Sequence, residues 1–414
     1  MKIDRLADPD LKKVLVFMVM GAACIFCLVA IFITPGFGDE VNYHSPLARN
    51  ISWRQIMDHH SDYSSAYTPL PYLIGSVALK IWNSLYALRI LNYLVFLATI
   101  CAFHLLAGNY LKDNWQLTFL VFLNPYLMRS AFVYYMDNWG LLFALLGLYF
   151  YLVRNSSLPA NLFISLAVLS QQWMLVLVIA IWLHGWLSFR ERKINLRVFM
   201  KGTLSQFFFL APAILLFVRW QGLTHPNFSS HALSPSFEHL SAVLSHLGFI
   251  MLFPVLAAAR GFFKAKYLPL LFMAPWFWLS VPRHAPWSDL THISGFFSHG
   301  AMKIEHFLRV PYRWVMFIFI LPGLLLILSV TNRIENEKTR VFGYAFLGLA
   351  AALVASVRLT TAHIYLVVPF LVLFLHEEIG KTKRLPWLMS MHYLLVCGFY
   401  IIYFVFYRSR GILL

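Results

Sequence analysis

The chain has 414 residues, 60% of them hydrophobic and only 12% charged, a balance that excludes an ordinary soluble domain and fits repeated passage through a membrane. The formal charge of +16 falls in short breaks between apolar runs, not in one basic domain, so no nucleic acid partner is expected. The relevant count is spans: about twelve or thirteen, at the roughly 20 residues that a hydrocarbon layer of about 30 Å requires.

The polar opening MKIDRLADPDLKK leads into an apolar run with no small-residue cleavage site, so residues 14–34 read as a retained first span. Lys12/Lys13, Lys112, Arg154, RERK (190–193), Arg260/Lys264/Lys266, the Arg333–Arg340 segment and KTKR (381–384) recur at alternate connections. The positive-inside rule places these on the cytoplasmic side, together with the amino terminus. Residues 35–68 then form a polar first external loop carrying Asp39, Glu40 and DHHSD (58–62). YTPLPYLIGSVALKIW is too short and too rich in proline to span comfortably, and its aromatics suit a helix lying on the outer surface. Spans at 86–108 and 116–135 lead in and back out, so YYMDNWG returns Asp137 to the face of Asp39.

A span at 138–153 ends inside at RNSS, and RERK must be inside as well. Only a hairpin fits between them: two short half-depth helices turning outside at SQQW (170–173). Polar backbone at that depth requires surrounding protein or a wet cavity. Parity then gives external loops at 220–240 and 282–310, and a late outward span that exposes Arg358 and His363 in VRLTTAHIY. The expected fold is one all-α, polytopic transmembrane domain over 1–414, with every concentrated polar constellation outside. Cys24, Cys27, Cys101 and Cys397 all lie in apolar runs and read as buried structural residues.

A carboxylate at a membrane boundary is unfavourable unless it is solvated, paired or used. Asp39 and Glu40 alone fit an acidic loop start, but Asp137 ends another span on the same face, where one or two carboxylates can act as general base on a hydroxyl. Arg358, in the apolar setting SVRLTTAHIYLVVPF, is either an interfacial arginine reaching for headgroups or a phosphate ligand, with His363 five residues on. Carboxylates and an outward-facing arginine together suggest hydroxyl activation beside phosphate departure. His225, His231, Glu238 and His239 share one external loop, and His284, Asp289, His292, His299 and His306 another. Their spacings match no dense metal-ligand motif, so loop packing or acceptor contact is preferred and no metal or cofactor is expected. Nucleotide-binding glycine loops and a nucleophile elbow are missing from the sequence, which leaves a soluble nucleotide donor unsupported.

The outward first span, the acid pair at its exit, the T-P-L-P-Y segment and the later acid resemble the membrane-integral glycosyltransferases of the GT-C class. GDEVNYHSPLARN (38–50) is similar to the aspartate-glutamate opening, followed by a histidine and an alanine, of the dolichyl-phosphate-glucose α-1,2-glucosyltransferase family. YTPLPYL resembles that family's proline-containing segment and the corresponding piece of lipid A aminoarabinose transferases. YYMDNWGLLF resembles a Tyr-Thr-Asp step, SQQWMLVL takes the place of an Arg-Gln-Thr-Asn stretch, and NFSSHAL resembles a Ser-Ser-His step. Gln171 stands where the family carries arginine, and TTAHIY replaces a late Glu-Pro-Arg-Tyr-like motif.

The resemblance implies a donor sugar on a polyprenyl phosphate, a lipid-linked glycan or other hydroxyl acceptor, and an inverting transfer on the non-cytoplasmic face. Asp39 would take the acceptor proton, with Glu40 as its catalytic partner, and Asp137 and His44 would position acceptor or base. Arg358 and His363 would hold the departing lipid phosphate, and Gln171, Gln172 and His231 would line the site. Compact loops favour a bacterial inner membrane over an endoplasmic reticulum. The competing readings are a transporter or flippase for a lipid-linked or anionic solute, with SQQW as a broken-helix site, and a non-catalytic scaffold.

Overall fold

The computed structural model describes residues 9–34, 36, 40–58, 63, 65, 67–110, 118, 121–122, 124–227, 237–252, 272–281, 293–294, 296–334, 336–355, 359–377 and 398. The first helices are α1 (Pro9–Ile33), a five-residue π-helical turn (Glu40–His44), α2 (Ser45–Asn50), α3 (Trp53–Met57), α4 (Leu70–Ile81), α5 (Leu85–Ala107) and α6 (Pro125–Phe132). There follow α7 (Asp137–Leu152), α8 (Ser157–Ser170), α9 (Leu175–Arg190), α10 (Leu196–Trp220) and α11 (Phe237–Ile250). The rest are α12 (Ala274–Ser280), α13 (Phe296–Leu308), α14 (Tyr312–Arg333), α15 (Glu337–Ala355) and α16 (Thr361–Phe374). Two short strands, β1 (Ile293–Ser294) and β2 (Leu359–Thr360), pair in parallel with Ile293 opposite Leu359.

Among the described residues, four helical stretches are long and apolar enough to cross a membrane: Leu85–Ala107, Gln172–Arg190, Leu196–Trp220 and Tyr312–Arg333. Shorter apolar helices include Phe17–Ile33, Ser157–Ser170 and Thr339–Ala355. Phe17, Phe208, Val218 and Ile318 are 62–75% exposed on these helices. Such side chains are at home against hydrocarbon. The chain is an all-α polytopic membrane protein, as its composition requires; residues 253–271 and 378–397, which hold two of the expected cytoplasmic breaks and parts of the spans beside them, lie outside the described residues.

Helix α4 is the expected short helix after the first loop. Its 12 residues extend only about 18 Å at 1.5 Å per residue, well short of a bilayer core. Pro69 and Pro71 stand at its start, where proline's missing N–H leaves no bond unmade. Val77 and Ile81 face outward while Tyr72, Gly75 and Leu79 are buried, so one apolar face is left for lipid.

Three expectations change. The first external loop is not a solvated connection: the π-helical turn, α2 and α3 fold it into a compact helical cap around Leu47, Ala48, Ile56, Tyr63 and Tyr72. Ser52 starts α3 through a capping box in which its Oγ accepts from the Gln55 N–H and Gln55 Oε1 accepts from the Ser52 N–H. The turn at SQQW joins a 14-residue helix, Ser157–Ser170, to the 19-residue apolar stretch Gln172–Arg190, the second of which is long enough to cross a membrane. Cys101 is exposed on α5, not buried, while Cys27 is buried as expected and Cys397 lies outside the described residues. The expected external loop at 282–310 also contains helix α13.

The fold comprises two compact units. The first takes residues up to Gln172 with Leu210–Asn227 and Ser390–Leu414; the second takes Trp173–Phe209 and Phe228–Met389. In the first, α7 and α8 form an antiparallel hairpin joined by residues 153–156, with Asn155 in the left-handed region at φ 49°. Gly147 lets the two helices approach, since a Cβ there would stand 2.6 Å from Ile164 Cδ1 and 3.2 Å from the Ala160 carbonyl. In the second unit, α11 and α14 meet at Gly248, where a Cβ would collide with the Phe319 carbonyl.

Contacts within each unit join segments that charge parity assigns to the same side. Glu191 accepts from Arg340 at 2.9 Å, and Lys193 bonds both Glu191 and Glu337, which ties RERK to the 337–340 stretch. Thiol labelling checks the sidedness: cysteines at solvent-facing loop positions nearest Asp39, Asp137, His231, Asp289 and Arg358 should react with a membrane-impermeant reagent from outside. Protection of positions 40–58 in intact cells, with labelling only after the cytoplasmic face is opened, would overturn the assignment.

Candidate active site

The first unit gathers four segments around a polar centre: residues 40–72, the turn 133–138, the end of α8 and residues 219–225. Its organiser is α5. Arg89 and Asn92 lie three residues apart on one face of this apolar helix, and both are buried. Arg89 donates to both carboxylate oxygens of Glu40, from Nε to Oε1 at 2.9 Å and from Nη2 to Oε2 at 2.6 Å. Its Nη1 donates to the carbonyls of Ile31 and Thr34 at 2.9 and 2.6 Å, capping the end of α1. One guanidinium therefore grips the chain on either side of residues 35–39.

Glu40 Oε1 also accepts the backbone N–H of Tyr134 at 2.8 Å. Asn92 Nδ2 donates to the carbonyls of Val133 and Tyr135 at 3.1 and 2.6 Å, and Asn92 Oδ1 accepts from Trp139 Nε1 at 2.7 Å. The turn leading to Asp137 is thus fixed from α5 and from Glu40 together. With both oxygens engaged and no exposed surface, Glu40 fits a positioning role better than proton transfer.

Asp137 opens α7, where the helix start presents its partial positive charge to a carboxylate. It is 1% exposed. The Tyr67 hydroxyl donates to Oδ1 at 3.3 Å, while Oδ2 is buried without a hydrogen-bond partner among the described residues. Burial, reinforced by the negative charge of Asp137, holds the Tyr67 hydroxyl well above the usual phenol range, so it stays protonated and donates. Arg129 opposes that shift from nearby and lies over the Tyr135 ring at 4.4 Å.

His44 is buried, with Nδ1 2.7 Å from the Tyr72 hydroxyl, and its ring meets Tyr67 and Tyr135 edge-on at 5.8 and 5.3 Å. The Tyr72 hydroxyl also meets Ser65 Oγ at 2.7 Å. Farther along, Trp220 Nε1 donates to the Ile56 carbonyl at 2.8 Å and Arg219 to that of Met57 at 3.2 Å, fastening the cap to the end of α10. Thr68 Oγ1 donates to the Val168 carbonyl at 3.0 Å, which ties the same loop to the end of α8. Gln171 and Gln172 follow directly, both buried.

Glu40, His44, Asp137, Gln171 and Gln172 therefore belong to one unit and to segments in mutual contact. Asp39, His231 and Arg358 lie outside the described residues, and His363 is placed only as part of α16. The sequence reading missed Arg89, Asn92, Tyr67 and Arg129. A signal for the first two was present: an arginine and an asparagine at i, i+3 inside the apolar run LYALRILNYLVFLATI.

No protein-family model matches the chain, and no curated protein matches it. Among solved structures, the chain is similar to ArnT from Cupriavidus metallidurans bound to undecaprenyl phosphate. The identity is 14%, the match covers 97% of this chain and 78% of that one, and the TM-score is 0.45.

Proposed function

We propose that the chain is an inverting glycosyltransferase that moves a monosaccharide from a polyprenyl-phosphate donor to a hydroxyl of a lipid-linked glycan or other acceptor, on the non-cytoplasmic face of a bacterial inner membrane. The observation that carries this reading is Asp137: a buried carboxylate at a helix start, with one oxygen held by Tyr67 and the other without a partner among the described residues, in a turn tied through Tyr134 to Glu40. A structural acid would use both oxygens, as Glu40 does; an acid with one oxygen left over is suited to receive a hydroxyl.

In this reading Asp39 takes the proton of the acceptor hydroxyl as its oxygen attacks the anomeric carbon. The bond from that carbon to the phosphate oxygen breaks, the lipid phosphate departs with the electron pair, and the anomeric centre inverts. Glu40, held by Arg89, fixes the position of its chain neighbour Asp39, and Asp137 and His44 orient the acceptor or the base. Arg358 and His363 retain the phosphate on the chemistry of their side chains alone.

Purified protein in lipid vesicles, given defined polyprenyl-phosphate hexoses and candidate acceptors, should release polyprenyl phosphate and form a product of inverted configuration. Efficient transfer from a soluble nucleotide sugar alone would contradict the mechanism. Movement of intact lipid-linked sugar across the bilayer without bond cleavage would favour the transporter.

A further inference from the structure

Gln171 is the first residue beyond the last turn of α8, in extended backbone with φ −155° and ψ 112°, and it has no exposed surface. Both polar atoms of its carboxamide, Oε1 and Nε2, are buried without a hydrogen-bond partner among the described residues. Each such group costs about 1–3 kcal/mol when left unmet. Leucine or methionine would fill the same volume without that penalty, so the amide is explained by something that bonds to it.

The antiparallel packing of α7 against α8 brings the start of one and the end of the other to the same end of the hairpin, and with them Asp137 and Gln171. Consecutive loop residues mark the place. Tyr67 bonds Asp137, and Thr68 bonds Val168 in the last turn of α8. Gln171 thus offers one acceptor, Oε1, and one donor group, Nε2, with no partner among the described residues. A phosphate, which only accepts, would leave the amide carbonyl without a partner. Neighbouring sugar hydroxyls, which donate and accept, match both.

The geometry points to Gln171 as a recognition group for the hydroxyls of the transferred sugar ring. Asp137 orients the acceptor hydroxyl in the reading above, and the anomeric carbon that this hydroxyl attacks belongs to the donor's ring, which places that ring beside Asp137, at the end of the hairpin where Gln171 stands. The inference rests on the transferase reading, and makes Gln171 a determinant of sugar specificity rather than of phosphate binding.

The test compares binding of a short-chain polyprenyl phosphate with that of the same lipid carrying glucose, galactose or mannose, using the full chain in lipid nanodiscs. The wild type should bind at least one hexosyl lipid more tightly than the bare lipid phosphate. Gln171→Leu should lose about tenfold or more of that preference, the worth of one or two hydrogen bonds. Its affinity for the bare lipid should stay unchanged, and its thermal stability should not fall, because the substitution removes an unmet buried amide. Gln171→Met is a second apolar isostere should the leucine variant fold poorly. Full preference retained in both variants, with a change only in stability, would assign the amide to a buried water and overturn the inference while leaving the transferase reading standing. A wild type that neither prefers a hexosyl lipid nor releases polyprenyl phosphate would bring down the transferase reading and the inference with it.

Discussion

Arg89→Met is expected to destabilise the folded protein by about 3–5 kcal/mol, the usual consequence of leaving one charge of a buried pair alone. Glu40 and Arg89 are at most 1% exposed, so water cannot replace the lost partner. The same substitution strips two further acceptors, the carbonyls of Ile31 and Thr34 at the end of α1. A double variant, Glu40→Leu with Arg89→Met, should recover a large part of the loss, because an apolar pair no longer buries a charge. Recovery should remain incomplete, since the N–H of Tyr134 loses its acceptor on Glu40. Thermal unfolding in detergent, followed by tryptophan fluorescence, ranks the three proteins. A double variant no more stable than Arg89→Met would show that the pair's charges are not coupled as their distances imply. Arg89→Lys keeps the charge but not the fork, so it should fold and still lose turnover, as Glu40, the residue beside Asp39, then loses one of its two bonds from α5.

That clamp also shows what the sequence could and could not convey. The apolar runs, the short proline-led helix at Leu70–Ile81 and the break after Ser170 follow from composition and period, and the structure places helices there. Asp137 at the start of a helix was legible because a charge at a span boundary stands out against its neighbours. The cap over 40–58 was not, because polar residues in a stretch such as GDEVNYHSPLARN look solvated until their partners are known. Glu40 is buried only because Arg89 lies 49 residues away in sequence and Tyr134 lies 94 away. Tyr67 reaches Asp137 across 70 residues. Short-range pattern carries no information about pairings of that length; it flags a residue such as Arg89 as unfavourable without naming what relieves it.

The largest effect on activity is expected at Asp39. Glu40 is taken up by three hydrogen bonds, which leaves its chain neighbour as the member of the acid pair suited to accept a proton. Asp39→Asn keeps the shape and removes the basic oxygen, and should lower the rate of transfer by about 10²–10⁴-fold, the contribution typical of a positioned general base. Binding of a polyprenyl-phosphate hexose should be little changed, because the base acts on the acceptor hydroxyl and not on the donor phosphate. Asp137→Asn should behave differently: it keeps an acceptor for Tyr67 and should raise the KM for acceptor more than it lowers kcat, as expected for a group that orients and does not take the proton. Initial rates of polyprenyl phosphate release at varied acceptor concentration separate the two patterns. A folded Asp39→Asn protein that turns over at the wild-type rate would remove Asp39 from the base role and pass it to Asp137, whose Oδ2 has no hydrogen-bond partner among the described residues.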